Sequence, residues 1–332
     1  MNTVDLSAFD VSKRRLIEGP NSSFMAISPL KHKWAREVWR VMLANTWMAQ
    51  EIDLSRDVQQ YKELTDAERL MYDRDLAFLS NLDGIQFNNL TLNIGSHITS
   101  PEVSMCISRQ SWEEANHVDA YSTMIEAVSL NPMDLYTMFA RDKILSDKNQ
   151  YIMTQSGILR QEYSAENFAL AVVANIILEG VYFYSGFLGF YTLAKMGKML
   201  GSSDMIRLIQ RDEETHLHLF VQMFKTLQVE RPEIFTASFY EKVAVLFDNA
   251  AKLEIHWGCY MIEDGVLGLT DLIIKQYIEC LADERLAMIG LPALYGSKNP
   301  VPWVKKFAKV NDTEVNFFEG KISSYGLGSL TW

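Results

Sequence analysis

The sequence predicts an all-α protein, a bundle of long helices, and three observations carry that prediction. Only 8 prolines occur in 332 residues, and nowhere do apolar and polar residues alternate between turn dipeptides as strands require. The stretch from Phe168 to Ala194 carries a single charge, Glu179, which is the composition of a helix buried on every side. A third signal, Glu-x-x-His, occurs twice, as Glu114-Ala-Asn-His117 and Glu213-Glu-Thr-His216, and that spacing places acid and imidazole on one helical face.

Apolar periodicity places helices near residues 31–47, 66–93, 101–129, 133–143, 165–194, 203–226, 236–261 and 269–287. Ser100 followed by Pro101 starts the third with an N-cap and a proline at the first helical position. Ser164, with Glu166 in the first turn, starts the fifth, and Gly201-Ser202-Ser203 separates it from the sixth. The last stretch, from Asn311, is rich in Gly, Ser and isolated aromatics and reads as a partly mobile tail. The expected organisation is one helical domain over residues 1–312 and a tail over 313–332.

At 48% hydrophobic residues the chain is long enough for one large core or two ordinary ones. A formal charge of -11 excludes a general nucleic-acid binder, which lives on phosphate contacts and carries a basic surface. Partners are therefore expected to be proteins or small ligands. Three widely spaced cysteines, Cys106, Cys259 and Cys280, form no disulfide framework and fit a reducing compartment. Asp5, Asp10, Lys13, Arg14 and Arg15 interrupt the N-terminal apolar residues, so no signal peptide is read there and a cytoplasmic protein is expected. Residues 168–194 are long enough to cross a membrane. An acid at mid-bilayer is costly, however, and no second such stretch exists, so the expectation is a buried helix and no membrane.

A carboxylate plus an imidazole suits iron, manganese or zinc, and two such pairs on facing helices suit two ions. Ferritin-like di-metal bundles use two Glu-x-x-His helices and one acid from each of two more. Glu179 supplies one such acid from the apolar helix, and Asp83 supplies the other from the helix before the first motif. At about 1.5 Å per residue, Asp83 lies about 15 Å from its helix end and Glu114 about 20 Å into the next helix. By the same rise Glu179 lies about 22 Å from its helix end and Glu213 about 15 Å into the following helix, so four acids can share one layer. Their four negative charges equal those of two divalent ions, and four bare carboxylates could not be buried. A single Glu-x-x-His is commonly a solvated face; two copies flanking a buried-acid helix are not. Spacing leaves one choice open, because Glu113 lies four residues before His117 and Glu214 four before His218.

Trp112-Glu-Glu-Ala-Asn-His117-Val-Asp-Ala-Tyr121, Leu178-Glu-Gly-Val-Tyr-Phe183 and Arg211-Asp-Glu-Glu-Thr-His216 resemble the metal-binding helices of class I ribonucleotide reductase small subunits, and the resemblance runs from the first long helix to the tail. It implies a ferritin-like fold with additional helices. It implies one ion on Asp83, Glu114 and His117 and another on Glu179, Glu213 and His216, with Glu114 and a second glutamate bridging. It places the radical tyrosine at Tyr121, in an apolar pocket of Phe183, Phe187 and Ile209. Tyr121 follows His117 by four residues and Glu114 by seven, so it shares their helical face. Without the resemblance it would read as an ordinary core tyrosine.

The family's relay matches Trp47 and Asp212, hydrogen-bonded to the ligand His117, and its tail tyrosine matches Tyr325. The implied activity is oxygen activation at the ions, storage of a radical on Tyr121, and its transfer through Trp47 and Tyr325 to a large catalytic subunit. That subunit reduces ribonucleotides to deoxyribonucleotides. The small chain binds no nucleotide itself, which agrees with the lack of a Gly-rich phosphate loop. A homodimer is implied. Iron is the first expectation for both ions; manganese is the second and implies a flavodoxin-like activase. After Tyr325 the chain ends Gly326-Leu-Gly-Ser-Leu-Thr-Trp332, without the family's acidic run. A di-metal oxidase or monooxygenase is the rival reading, and it gives less reason for Trp47, Tyr121 and a tyrosine-bearing tail together. Metal storage in a ferritin shell would suit a chain nearer half this length.

Overall fold

The computed structural model describes residues 6–20, 25–263 and 265–308. Its helices are α1 (Lys33–Ala44), α2 (Ser55–Glu63), α3 (Asp66–Asn89), α4 (Pro101–Val128), α5 (Pro132–Tyr136), α6 (Lys143–Ser156), α7 (Ile158–Gln161), α8 (Ala165–Ile177), α9 (Tyr184–Lys195), α10 (Leu200–Glu230), α11 (Ala237–Met261), α12 (Asp271–Met288) and α13 (Val304–Ala308). Among the described residues the only β pairing is an isolated bridge between Ile17 and Ile98. The all-α, ferritin-like expectation is met. The tail expected over 313–332, Tyr325 with it, lies outside the described residues, as does the boundary at 312.

Several helix starts follow from local chemistry. Thr65 and Glu68 form a reciprocal capping box at α3, and the hydroxyls of Ser164, Thr236 and Thr270 accept from backbone N–H groups opening α8, α11 and α12. Ser100 and Pro101 do begin α4, but the Ser100 hydroxyl bonds Glu102 and His32 rather than the helix backbone.

Three expectations are corrected. Gly201, Ser202 and Ser203 are not a separator: they form the first turn of α10. The break falls at 196–199, where Gly197 has φ +77° and Met199 φ +52°. Asp57 of α2 accepts from the backbone N–H groups of Gly201 (3.1 Å) and Ser202 (2.6 Å), so a poor helix-forming triplet is capped by a residue far away in sequence. The helix expected over 133–143 stops at Tyr136, and Asp142 instead caps α6. The apolar helix over 165–194 is not uniform, because residues Leu178–Tyr182 form a π-helical turn between α8 and α9.

In the bundle α3 packs along α4, α10 packs on α8 and α9, α11 covers α8 and α9, and α1 lies across α4 and α10. The segment Ala165–Lys195 is apolar enough for a membrane span, but 89% of its most apolar window is buried inside the bundle. That helix is the centre of the core, as a helix apolar all round must be.

Candidate metal centre

Six side chains from four stretches meet in the middle of the bundle: Asp83 from α3, Glu114 and His117 from α4, Glu179 from the π turn, and Glu213 and His216 from α10. Each is 0% exposed. They form two groups, Asp83, Glu114, His117 and Glu213, and Glu114, Glu179, Glu213 and His216; within each, one donor atom per residue lies within 4.8 Å of all the others. Glu114 and Glu213 belong to both. His117 Nδ1 lies 3.0 Å from Glu213, 3.5 Å from Asp83 and 3.6 Å from Glu114. His216 Nδ1 lies 2.7 Å from Glu213, 3.3 Å from Glu114 and 3.8 Å from Glu179. Glu113 and Glu214 stand outside both groups.

Both oxygens of Asp83, one oxygen each of Glu114, Glu179 and Glu213, and Nδ1 of His117 are buried without a hydrogen-bond partner. Orphaned polar atoms cost roughly 1–3 kcal/mol each. These fall within the two donor groups, and a cation held by each group would satisfy them; oxygen with imidazole nitrogen suits iron, manganese or zinc. Electrostatics points the same way. Burial, then the neighbouring carboxylates, raises Glu114 and Glu179, and Asp83 rises chiefly through burial. Burial also opposes ionisation of Glu213, but His117 and His216 outweigh it and hold that carboxyl below its usual range. Carboxylates likewise overcome burial at both imidazoles and raise them. The cluster therefore demands positive charge from whatever is available.

Both histidines turn Nδ1 inward and Nε2 outward. His117 Nε2 meets Asp212 at 3.3 Å, and the indole N–H of Trp47 donates to the same carboxylate oxygen at 2.7 Å. The Trp47 and His117 rings lie 6.2 Å apart and nearly parallel. His216 Nε2 meets Glu113 at 2.9 Å. A carboxylate only accepts, so each Nε2 donates outward, which holds the ring with Nδ1 facing the cluster, where it would ligate an ion once it has lost its own proton.

An amide layer that sequence reasoning missed closes one side. Gln110 donates to Glu114 (3.1 Å) and Glu179 (2.8 Å), Gln86 donates to Glu179 and to Asn175 (2.9 Å), and Asn89 donates to both Gln86 and Asn175. A sequence signal existed: Gln86, Gln110 and Asn175 each stand one helical turn from a ligand acid. The π turn was also missed. Its Gly180 carbonyl accepts from Arg285, and a Cβ on Gly180 would sit 3.0 Å from that arginine's chain. π turns recur at functional sites because the extra residue re-aims side chains.

Tyr121 is fully buried and its hydroxyl has no partner. Burial first, and then the charge on Asp83, pushes its ionisation well above the usual phenol range. Phe183, Phe187 and Ile209 are each 0% exposed, and the two phenylalanine rings stack 5.7 Å apart.

Comparison with known proteins agrees with this geometry. The family described as "Ribonucleotide reductase, small chain" matches residues 25–300. The chain is 35% identical to the ribonucleoside-diphosphate reductase subunit beta of Treponema pallidum, over 96% of this chain and 93% of that one. It is 31% identical to the subunit beta of Chlamydia pneumoniae, covering 98% and 97% respectively. A solved ribonucleotide reductase R2 subunit from Clostridium botulinum superimposes with a TM-score of 0.86 at 37% identity, covering 89% of this chain and 94% of that one. With its fold, its buried carboxylate–histidine cluster and its relatives in agreement, the chain belongs to the small-chain family of ribonucleotide reductases.

Proposed function

We propose that this chain is the radical-generating small subunit of a ribonucleoside-diphosphate reductase, holding one ion on Asp83, Glu114 and His117 and a second on Glu179, Glu213 and His216. Glu114 and Glu213 would be shared between the two ions, and their membership of both donor groups is the observation that carries the reading. When bound, the ions supply one-electron oxidising power drawn from oxygen. The rest is the work of side chains. Tyr121 keeps its proton in the resting protein because burial disfavours the phenolate. Phe183, Phe187 and Ile209 keep water from it. Asp212 fixes His117 and accepts from Trp47, which makes a hydrogen-bonded line from ligand to indole. Trp47, and beyond it Tyr325, carry the oxidising equivalent to a large subunit, where ribonucleotides become deoxyribonucleotides.

The chain works in the cytoplasm as a homodimer. Iron is the first choice of metal. A fold relative from Streptococcus sanguinis is a dimanganese(II) protein, so manganese, with a flavodoxin-like activase, is the second. Electron paramagnetic resonance of aerobically loaded protein is expected to show a tyrosyl signal that disappears in Tyr121→Phe. A signal that survives the substitution would place the radical on another residue, and ribonucleotide reduction without added large subunit would refute the division of labour.

A further inference from the structure

Each Glu-x-x-His motif is preceded by an acid, and each acid serves the histidine of the other motif. Asp212, before Glu213 on α10, meets His117 of α4; Glu113, before Glu114 on α4, meets His216 of α10. The residue before a ligand is turned about 100° from it on the helix, so it passes beside the cluster and reaches the back of the facing imidazole. Both acids are gripped by an arginine: Arg109 holds Glu113 at 3.1 Å, and Arg211 holds Asp212 at 3.2 Å. Both arginines then run to the end of α1. Arg109 donates to the Met42 carbonyl (3.2 Å) and the Thr46 hydroxyl (2.9 Å), and Arg211 donates to the Asn45 carbonyl.

We propose that Glu113, held by Arg109, is the positioning residue of the second ion: it orients His216, keeps its Nδ1 as the ligating nitrogen, and ties that ion to the end of α1. Its role mirrors that of Asp212 at the first ion, with one difference. Asp212 also accepts from Trp47, whereas the Arg109 guanidinium stacks 3.9 Å above the Trp112 ring. The acid at the first ion thereby gains an indole hydrogen-bond donor, and the acid at the second an arginine braced by an indole face. Glu113 is 2% exposed, and a buried acid spanning an imidazole and a guanidinium resists reorientation of the ring.

This inference rests on the di-metal reading, and the test separates the two. Full-length metal-free protein is titrated anaerobically with cobalt(II), reading ions per chain and the cobalt absorption bands. Wild type is expected to take two ions, and fewer would sink the di-metal reading and this inference with it. Glu113→Gln is expected to weaken one ion by about 10–100-fold and leave the other unchanged. The weakened ion is assigned by combination: added to Glu179→Ala, Glu113→Gln has no further effect on the ion that remains, and added to Asp83→Ala it weakens the ion that remains. Two ions bound with unchanged affinity in Glu113→Gln, or both weakened equally, would overturn the assignment. Should Glu113→Gln not fold, Arg109→Gln leaves the acid in place and is expected to produce the same selective loss at the lower end of that range. No selective loss there would overturn it too.

Discussion

Two buried charged layers cross this bundle, and they solve the same problem in opposite ways. The metal layer gathers four carboxylates and two imidazoles, and its orphaned oxygens converge on shared points. Eight residues earlier on α3, roughly 12 Å along the helix, the second layer holds Asp75, with Glu254 from α11, Ser185 from α9 and Lys148 from α6. Lys148 is 0% exposed; its ammonium lies 2.6 Å from Glu254 and 3.5 Å above the Phe78 ring. Ser185 donates to Glu254 through its backbone N–H and its hydroxyl. This layer supplies its own cation, and what remains, Asp75, is a single acid packed against Gly186 and Gly189. No second donor joins it to make a metal-binding group among the described residues. Burial raises Asp75 well above the usual carboxyl range, against the opposing pull of Lys148, so its charged form is disfavoured in the fold. A buried acid by itself therefore does not mark a metal site; a surplus of converging acceptors that no side chain neutralises does.

The comparison can be broken or sharpened by substitution. The largest effect is expected from Glu213→Ala, which removes a donor from both groups: metal analysis should fall from two ions per chain to none, and retention of both would show that the layer is not organised around its shared acids. Next, Lys148→Met leaves Glu254 buried without its cation and should cost about 3–5 kcal/mol in urea unfolding. Lys148→Met combined with Glu254→Gln should recover most of that loss, since a replaced pair is tolerated where a broken one is not. If the double variant is no more stable than the single, the layer is more than a self-neutralised pair.

The smallest effect is expected at Asp75. Burial makes the fold hold this proton more tightly than the unfolded chain, which loses it near pH 3.8, so its contribution to stability falls as pH rises above that value. Asp75→Asn has no such proton to hold. It should be the more stable protein at pH 7, with the difference shrinking toward pH 4 in unfolding curves measured across that range. An advantage independent of pH would mean that Asp75 is ionised in the fold.

Periodic signals made much of the site legible. Glu-x-x-His twice over, an acid alone in an apolar helix, and a tyrosine one turn past a ligand histidine are facts about one helix at a time, and helical geometry turns them into faces. The resemblance then selected Glu114 over Glu113 and Glu213 over Glu214, where spacing could not. Features requiring two distant segments at once stayed hidden. Lys148 and Glu254 are 106 residues apart, Asp57 caps a helix 144 residues away, and Glu113 faces a histidine 103 residues on.

The sequence by itself determined the all-helical bundle and the helical faces that carry the two Glu-x-x-His motifs, because those depend on side-chain type and a 3.6-residue period. Tertiary structure alone decided that Leu178–Tyr182 widens into a π turn, that an amide layer caps Glu114 and Glu179, and that each motif's preceding acid crosses to the other's histidine. Those outcomes depend on which helix faces lie within hydrogen-bond reach of one another, and no local pattern carries that distance.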